Sequence, residues 1–256
     1  MSKSVAVVTG ASQGIGQASA IRLARDFSAL VLVARNRSKL EETADAVKAA
    51  GAEALILDAD LARPDAARFV VDETMSAFGR IDALLNIAGA VPQIDLFEMS
   101  DEQWDAGLAL KLHGARRLTI AAWPALKEAK GSVVLMSGNS ALFPKAPYAA
   151  VGTINAAIVA LAKAFSDRGI TDGVQVNSVL PGPVMTGRRR SYLEHWAPLH
   201  QMSVEEATAS FPREAGIARY GEPEEIAELM AFLVSPAARW MTGSTLRMDG
   251  GEVKSI

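Results

Sequence analysis

A glycine-rich segment near the N-terminus has the residue types and the spacing of a diphosphate-binding turn. The apolar run Ser4–Val8 leads into residues 9–16, which read TGASQGIG, and a segment of helical period follows. Glycine permits a tight turn and close backbone approach, and a helix N-terminus offers free N–H groups and a positive dipole end to an anion. The segment therefore predicts a site for the pyrophosphate of a dinucleotide. Taken alone, the same spacing would also suit an ordinary strand-to-helix turn.

The residues after the second predicted strand bear on which dinucleotide is bound. Sites for NAD usually place an acid there, against the ribose 2′-hydroxyl. In this sequence Ala34 holds that position and Arg35 follows it. A guanidinium can pair with a 2′-phosphate, so NADP(H) is favoured over NAD(H). In the alternative interpretation, Arg35 and Arg37 are only a solvated surface pair.

These residues must be positioned by a sheet, and the hydrophobic pattern predicts one. Short β-branched runs alternate with segments of helical period, which is typical of repeated βαβ units. The predicted strands are Ser4–Val8, Ala29–Ala34, Ala54–Asp58, Ala83–Ile87, Gly131–Ser137, Val174–Val179 and Ser244–Met248, with helices in six of the intervals. The predicted fold class is α/β: a single doubly wound Rossmann-type domain over residues 1–256, with a seven-stranded, mainly parallel sheet flanked by helices. The least regular stretch, at about residues 187–220, is interpreted as a substrate lid or loop, because Pro198, Pro212 and Gly216 break its helical pattern.

The TGxxxGxG spacing of residues 9–16 resembles that of the short-chain dehydrogenase/reductase family, and further landmarks continue the resemblance over essentially the whole chain. Residues 86–89 resemble the family's NNAG element, with Ile87 in place of its second asparagine. Asp60 and Leu61 resemble its adenine contact, and residues 181–186 resemble the PG…T segment that holds the nicotinamide carboxamide. Gln13 stands where many NADP-binding members carry a second basic residue. The predicted cofactor-binding residues are Gly10, Ser12, Gln13, Gly14, Ile15, Gly16, Arg35, Asp60, Leu61, Asn86, Ala88, Gly89, Pro181, Gly182, Val184 and Thr186.

The resemblance also implies four catalytic residues: a serine after the fifth strand, a tyrosine and a lysine in a YxxxK pattern on the next helix, and an asparagine on the preceding helix. A phenol with a pKa near 10 is a poor base at neutral pH, so the lysine lowers that pKa while the serine polarises the carbonyl. Aligned from the flanking segments, these positions hold Gly138, Val151, Asn155 and Lys111. Valine cannot move a proton, so the family's ordinary mechanism is not expected.

Three neighbouring residues are weak candidates to replace the missing groups. Tyr148 would become the acid if the alignment were shifted by three residues, although Gly152 would then stand where the lysine is needed. Lys111, if buried beside a nicotinamide, would have a lowered pKa and could serve as an acid or a cation. Otherwise it reaches solvent or pairs at a subunit interface. Ser140 could donate a hydrogen bond to a carbonyl oxygen, or it could cap a loop.

Three consecutive arginines, Arg188–Arg190, follow the predicted nicotinamide segment. They could capture a carboxylate or a phosphate, or they could form a solvated basic turn. Three functions remain open. The first is an oxidoreductase that acts on a small carbonyl or hydroxyl substrate through a non-standard active site. The second is a catalytically inactive pseudoenzyme that binds a dinucleotide as a sensor, regulator or partner subunit, and the third is a lyase or isomerase that uses Lys111.

Composition excludes several other function classes. The 26 Lys and Arg are mixed with 29 Asp and Glu for a formal net charge of −3, so no nucleic-acid partner is expected. The chain has no cysteine, which excludes disulfides and thiolate metal sites, and no metal site is predicted. No signal peptide or run of about 18 apolar residues stands out, so a cytoplasmic protein without a membrane span is expected. The resemblance implies a homotetramer or dimer that pairs partly through the helix holding Val151 and Asn155.

Overall fold

The computed structural model describes residues 4–255, so residues 1–3 and 256 of the predicted domain lie outside the described residues. The strands are β1 Val5–Thr9, β2 Ala29–Ala34, β3 Glu53–Asp58, β4 Ala83–Asn86, β5 Ser132–Met136, β6 Gln175–Pro181 and β7 Thr245–Met248. They form one seven-stranded sheet in the order β3-β2-β1-β4-β5-β6-β7. The strand order reverses between β1 and β4, and this switch point opens a crevice at the carboxyl ends of the strands.

Helices cover both faces of this sheet. They are α1 Gly14–Leu23, α2 Arg37–Ala49, α3 Ala66–Phe78, α4 Asp101–Gly107, α5 Ala115–Ala129, α6 Ala149–Asp172, α7 Gly187–Leu199, α8 Val204–Ala215 and α9 Pro223–Leu233. Between α4 and α5 the chain continues as a π-helical segment, Leu108–Gly114. Each of the six intervals predicted to hold a helix does hold one.

Alternating strand residues separate the core into two layers. Val7 of β1 and Leu84 of β4 belong to the layer that includes residues of α3, α5 and α6. Their neighbours Val8 and Leu85 face the opposite layer, with residues of α1, α2 and α9. Because both faces are buried, the strands are continuous apolar runs, as expected for a parallel sheet between helices.

The predicted fold class is confirmed, and every strand pair in the sheet is parallel. One expectation about the fold needs correction. The stretch at about residues 187–220 is largely helical and not a loop. Thr186 caps the start of α7 by accepting the N–H of Arg189, and Ser203 forms a capping box with Glu206 at the start of α8. These caps satisfy helix-end N–H groups, and they outweigh the interruption that prolines indicated in the sequence. The role of this segment as a substrate lid stays a prediction.

The long helix α6 bears on the expectation that the chain has no membrane span. With the turn before it, residues 146–172 form one helix that is long and apolar enough, by length and composition alone, to cross a membrane. The core helix of a globular protein meets the same criterion. Ile154 and Ile158 of α6 are fully buried, and the helix packs on β5 and β6, which accounts for its apolar composition.

Candidate active site

The glycine-rich segment forms the predicted tight turn between β1 and α1. Gly10 and Gly14 have φ of 68° and 57°, a region that L side chains rarely adopt. Gly16 is restricted by space instead, because a Cβ built there would lie 2.1 Å from the carbonyl oxygen of Gly10. The turn leaves the first N–H groups of α1 without intrahelical partners at the crevice, as anion binding requires.

Thr9, which sequence reasoning overlooked, joins the two strands at the switch point. Its Oγ1 accepts hydrogen bonds from the N–H groups of Ile87 and Ala88, at 2.8 and 2.9 Å, and donates to the carbonyl oxygen of Leu85 at 3.3 Å. The end of β1 is thereby fixed against the chain that leaves β4. A threonine directly before the first glycine was the available signal, since a buried hydroxyl at a strand end needs partners.

A cleft of about 1260 Å³ runs along this edge of the sheet. Its lining includes the predicted cofactor residues Gly10, Ser12, Gln13, Gly14, Ile15, Gly16, Arg35, Leu61, Ala88, Gly89, Gly182, Val184 and Thr186. Three other predicted residues are not among the lining residues. Asp60 accepts the N–H of Ala62, Asn86 donates to Thr119 Oγ1, and Pro181 is buried at the end of β6. Their assignment to the cofactor site stays a prediction.

The charged side chains on the cleft wall all have the same sign. Among the described residues that line the cleft none is acidic, and six are basic: Arg35, Arg37, Lys39, Lys111, Arg188 and Arg189. The first three follow β2, and the other three lie on the π-helical segment and at the start of α7. We call these the Arg35 cluster and the Lys111 cluster. A cleft with cations at both ends favours a ligand with anionic groups at both ends.

Lys111 contacts two neutral oxygens beside the cleft. Its Nζ donates to Asn155 Oδ1 at 2.5 Å and to the carbonyl oxygen of Ser137 at 3.1 Å. The stem of the side chain crosses Gly89, where an added Cβ would lie 3.0 Å from Lys111 Cδ. The side chain is partly accessible and lines the cleft, and protein atoms surround most of its ammonium. This removal from water, with a smaller effect of the Arg188 charge, lowers the pKa of Lys111 to about 8.

Asn155 is held in place by β5 and the turn after it. Its Nδ2 donates to Ser140 Oγ at 2.9 Å, and its backbone carbonyl accepts from Ser137 Oγ at 2.7 Å. A Cβ at Gly138 would lie 2.6 Å from Asn155 Nδ2, so the glycine leaves the space that the amide fills. Ser140 is buried and does not line the cleft. Its hydroxyl therefore orients Asn155, and the structure gives no support to Ser140 as a donor to a bound substrate.

Val151 and Tyr148 lie on the first turn of α6 and just before it, with different exposure to the cleft. Val151 lines the cleft and presents an apolar surface there. Tyr148 is partly exposed at the end of a short 3-10 turn and does not line the cleft. A helical shift of three residues moves a side chain about 4.5 Å along the axis. The prediction that Tyr148 could replace the acid therefore finds no support in this geometry.

The start of α7 brings two of the three consecutive arginines to the cleft. Arg188 donates from Nη1 to the carbonyl oxygen of Gly89 at 3.2 Å. The Arg189 guanidinium lies over aromatic rings, 5.0 Å from the centroid of Phe211 and 5.6 Å from that of Tyr192. Arg190 is exposed and does not line the cleft. The three arginines therefore differ in their surroundings, whereas in a solvated basic turn they would be equivalent.

Comparison with known proteins places the chain in a family. A sequence-family model described as enoyl-(acyl carrier protein) reductase matches residues 10–252. The short-chain reductase protein NovJ of Streptomyces niveus is 31% identical over 249 residues, covering 97% of this chain and 94% of that protein. The 3-oxoacyl-(acyl-carrier-protein) reductase of Synechocystis sp. is 32% identical over 255 residues, covering 97% and 96%. The chain belongs to the short-chain dehydrogenase/reductase family.

The fold comparison agrees with this membership. L-sorbose reductase from Gluconobacter frateurii, solved in complex with NADPH and L-sorbose, superposes with a TM-score of 0.95 at 30% identity, over 100% of this chain and 98% of that one. In this short-chain dehydrogenase/reductase, sequence reasoning located the glycine turn and Arg35 but missed the contact between Lys111 and Asn155. Those residues are 44 positions apart, and no local pattern in the sequence joins them.

Proposed function

We propose that this short-chain dehydrogenase/reductase is an NADP(H)-dependent oxidoreductase that transfers hydride to or from a small carbonyl or hydroxyl compound through a rebuilt active site. The observation that carries the proposal is the Lys111 ammonium, largely surrounded by protein atoms beside the cleft and hydrogen-bonded to neutral oxygens. Among described residues no carboxylate neutralises it. A buried charge without a partner is costly, and such groups cluster at functional sites.

The cleft fits a phosphorylated nicotinamide dinucleotide. Gly10 and Gly14 have a positive φ, and Gly16 has no room for a Cβ. These three positions therefore carry no side chain that would keep a pyrophosphate away from the turn. In the Arg35 cluster, Arg37 already pairs with Glu41 and Asp58, whereas no described carboxylate pairs with Arg35. Arg35 is therefore the residue available for a 2′-phosphate. The complex of L-sorbose reductase with NADPH supports the same choice of coenzyme.

Lys111 supplies the proton that carbonyl reduction requires. A reduced nicotinamide coenzyme held in this cleft would supply the hydride for the carbonyl carbon, and the carbonyl oxygen would then require one proton. With a pKa of about 8, Lys111 is protonated at pH 7 yet can release and regain a proton near neutrality. Asn155 Oδ1 and the Ser137 carbonyl each accept one of its three N–H groups, which leaves one for a substrate oxygen.

The family's four catalytic positions explain how this site was rebuilt. By resemblance, an asparagine belongs at position 111 and a lysine at position 155, and this chain has each residue in the other's place. The two side chains still meet, so an ammonium and an amide remain beside the cleft with their helices exchanged. Gly138 and Val151 leave the site without the serine and the phenol. Lys111 thus acts on the substrate directly and not through a tyrosine.

A catalytically inactive pseudoenzyme is the second candidate function. The observation that favours it is Val151, which presents an apolar surface to the cleft at the position of the family's tyrosine. In that case the protein binds the coenzyme as a sensor, regulator or partner subunit, and Lys111 is a structural cation that holds Asn155.

Turnover and coenzyme binding, measured on the same variants, separate the two candidates. We expect NADPH oxidation with at least one member of a panel of small ketones, aldehydes and oxo acids. Lys111→Ala should lower kcat/KM by about 10²–10⁴, the usual contribution of a positioned acid, with NADPH binding retained. Tyr148→Phe is the matched control and should change little, because that phenol does not line the cleft. Saturable NADPH binding with no turnover in the wild-type protein would favour the pseudoenzyme.

The assembly and the cellular location complete the proposal. We propose a cytoplasmic homodimer or homotetramer that pairs partly through α6. In support, α6 leaves apolar surface uncovered, with Ile170 72% exposed. Light scattering of the purified protein tests the assembly: a monomer at micromolar concentration would contradict it.

A further inference from the structure

The Lys111 cluster has positive charge that the proposed coenzyme and proton transfer do not use. Arg188 reaches Gly89 with its guanidinium, and Lys111 crosses the same glycine with its stem. The two cations are close enough for Arg188 to disfavour the charged form of Lys111. Like charges brought together at a cleft wall are unfavourable unless an anion joins them.

The neighbouring side chains do not supply that anion. None of the described residues lining the cleft is acidic, and none of the described ion pairs includes Arg188 or Arg189. Arg188 Nη1 has a backbone carbonyl as its partner, and the Arg189 guanidinium rests against the rings of Phe211 and Tyr192. A guanidinium has five N–H donors, so Arg188 retains a free edge for a planar anion.

We propose that the substrate is a small oxo acid, or the matching hydroxy acid in the reverse direction, whose carboxylate binds Arg188 while its oxo oxygen faces Lys111. The proposal rests on the proposed function, since it assigns the substrate class of the same site. Carboxylate and guanidinium match in planar geometry and can form two parallel hydrogen bonds. Because Arg188 Nη1 and the stem of Lys111 both contact Gly89, the carboxylate and the carbonyl of the substrate should belong to one small molecule.

A comparison of acids with their own esters tests this assignment. NADPH oxidation is measured with 2-oxobutanoate, 3-oxobutanoate and the methyl ester of each, which keeps the carbonyl and removes the charge. We expect kcat/KM for at least one acid to exceed that of its ester by about 10- to 100-fold, the range of a charge-assisted hydrogen bond. The difference should lie in KM and should narrow between 0.05 and 0.5 M NaCl, since the screening length falls with salt.

Two arginine variants locate the source of the preference. Arg188→Gln should bring the acid-to-ester ratio close to one. Arg190→Gln removes the same charge from the same helix at a position that does not line the cleft, and it should keep the ratio. Equal kcat/KM for both acids and their esters in the wild type would overturn the proposal. So would a loss of NADPH affinity as large as the loss of acid preference in Arg188→Gln, because Arg188 would then bind the coenzyme.

A binding measurement separates this proposal from the proposed function. Calorimetric titration of 2-oxobutanoate into the protein saturated with NADP⁺ reports carboxylate binding without turnover. Binding that Arg188→Gln abolishes, in a protein that oxidises no NADPH with any carbonyl compound, supports the carboxylate site and contradicts the oxidoreductase. If the esters are turned over, the acids are not preferred and no acid binds, the result supports the oxidoreductase and overturns the assignment of an oxo acid as the substrate.

Discussion

Replacing Asn155 with lysine should destabilise the protein at neutral pH, and replacing Lys111 with asparagine in the same molecule should recover most of the loss. Asn155→Lys alone places two ammonium groups where one now contacts an amide at 2.5 Å. Two unit charges about 4 Å apart repel by roughly 4 kcal/mol at an effective dielectric constant near 20. One lysine can avoid this by releasing its proton, which within the fold costs about 1.4 kcal/mol at pH 7 for a group with a pKa of about 8.

Deprotonation therefore sets the size of the effect. The unfolded chain keeps both lysines charged, with an ordinary pKa of 10.5, so holding one of them neutral in the fold costs about 4.8 kcal/mol at pH 7 and about 2 kcal/mol at pH 9. Adding about 1 kcal/mol for the lost hydrogen bond to Ser140, we expect Asn155→Lys to lower the free energy of unfolding by about 6 kcal/mol at pH 7 and by about 3 kcal/mol at pH 9. The Lys111→Asn, Asn155→Lys double variant has one ammonium and one amide again, and it should be more stable than the sum of the single losses by at least about 1.4 kcal/mol.

Urea unfolding at pH 7 and pH 9 measures these quantities. The four proteins are the wild type, Lys111→Asn, Asn155→Lys and the double variant, and each variant is compared with the wild type at the same pH. Ser140→Ala is the matched control, because it removes the hydrogen bond that Asn155 donates without adding a charge. Its loss should be the same at both pH values. A penalty for Asn155→Lys that does not change with pH, together with additive losses in the double variant, would refute the reasoning that the two side chains share one dry site.

Further predictions concern the coenzyme, the proton and stability in acid. Gly16→Ala adds a Cβ 2.1 Å from a backbone oxygen; NADPH fluorescence titration should show binding weakened by about 1–3 kcal/mol, and unchanged binding would contradict the turn assignment. Arg35→Asp should lower affinity for NADPH relative to NADH by about 10- to 100-fold, and an unchanged ratio would show that Arg35 is only a surface charge. The reduction rate should fall as pH rises through about 8, because the pKa of Lys111 lies there beside the charge of Arg188. Lys111→Met should abolish this fall in rate, and a fall that persists would belong to another group. Hydrogen bonds from Lys127, Trp123 and Arg168 lower the pKa of Asp172. Asp172→Asn should therefore lower Tm at pH 7, and the difference in Tm between variant and wild type should narrow as pH falls below 3.8. A difference in Tm that does not depend on pH would show that the charge of Asp172 is not its cause.

Much of the fold could be predicted because its signals are local. Buried parallel strands are apolar throughout, and the strand bounds taken from these runs differ from the observed ones by at most two residues at an end. The glycines of the first turn were predictable for the same reason, since positive φ and close packing are properties of single positions. The helices within residues 187–220 were harder to predict. Their first turns depend on caps at Thr186 and Ser203, whereas the prolines in this stretch indicate interruptions.

The candidate site was predictable in its positions and not in its contacts. The resemblance to the family singled out positions 111, 138, 151 and 155, and the replacement of the usual catalytic residues there stays a prediction. The separation of Ser140 and Tyr148 from the cleft required the structure, because a hydroxyl near a site in sequence can point to a neighbouring amide or to solvent. Likewise Asp60 and Asn86 match the family's pattern, but their side chains contact Ala62 and Thr119, and neither residue lines the cleft.

The amino-acid sequence was sufficient to predict the sheet and the glycine turn. Each of these is set by the chemistry of one residue or by the period of a short run. Tertiary structure decided that Lys111 meets Asn155 across 44 residues, and that Arg188 and Lys111 converge on Gly89. The physical reason is that desolvation and the balance of charge in a cleft depend on which side chains come together in space, and residues distant along the chain contribute equally to both.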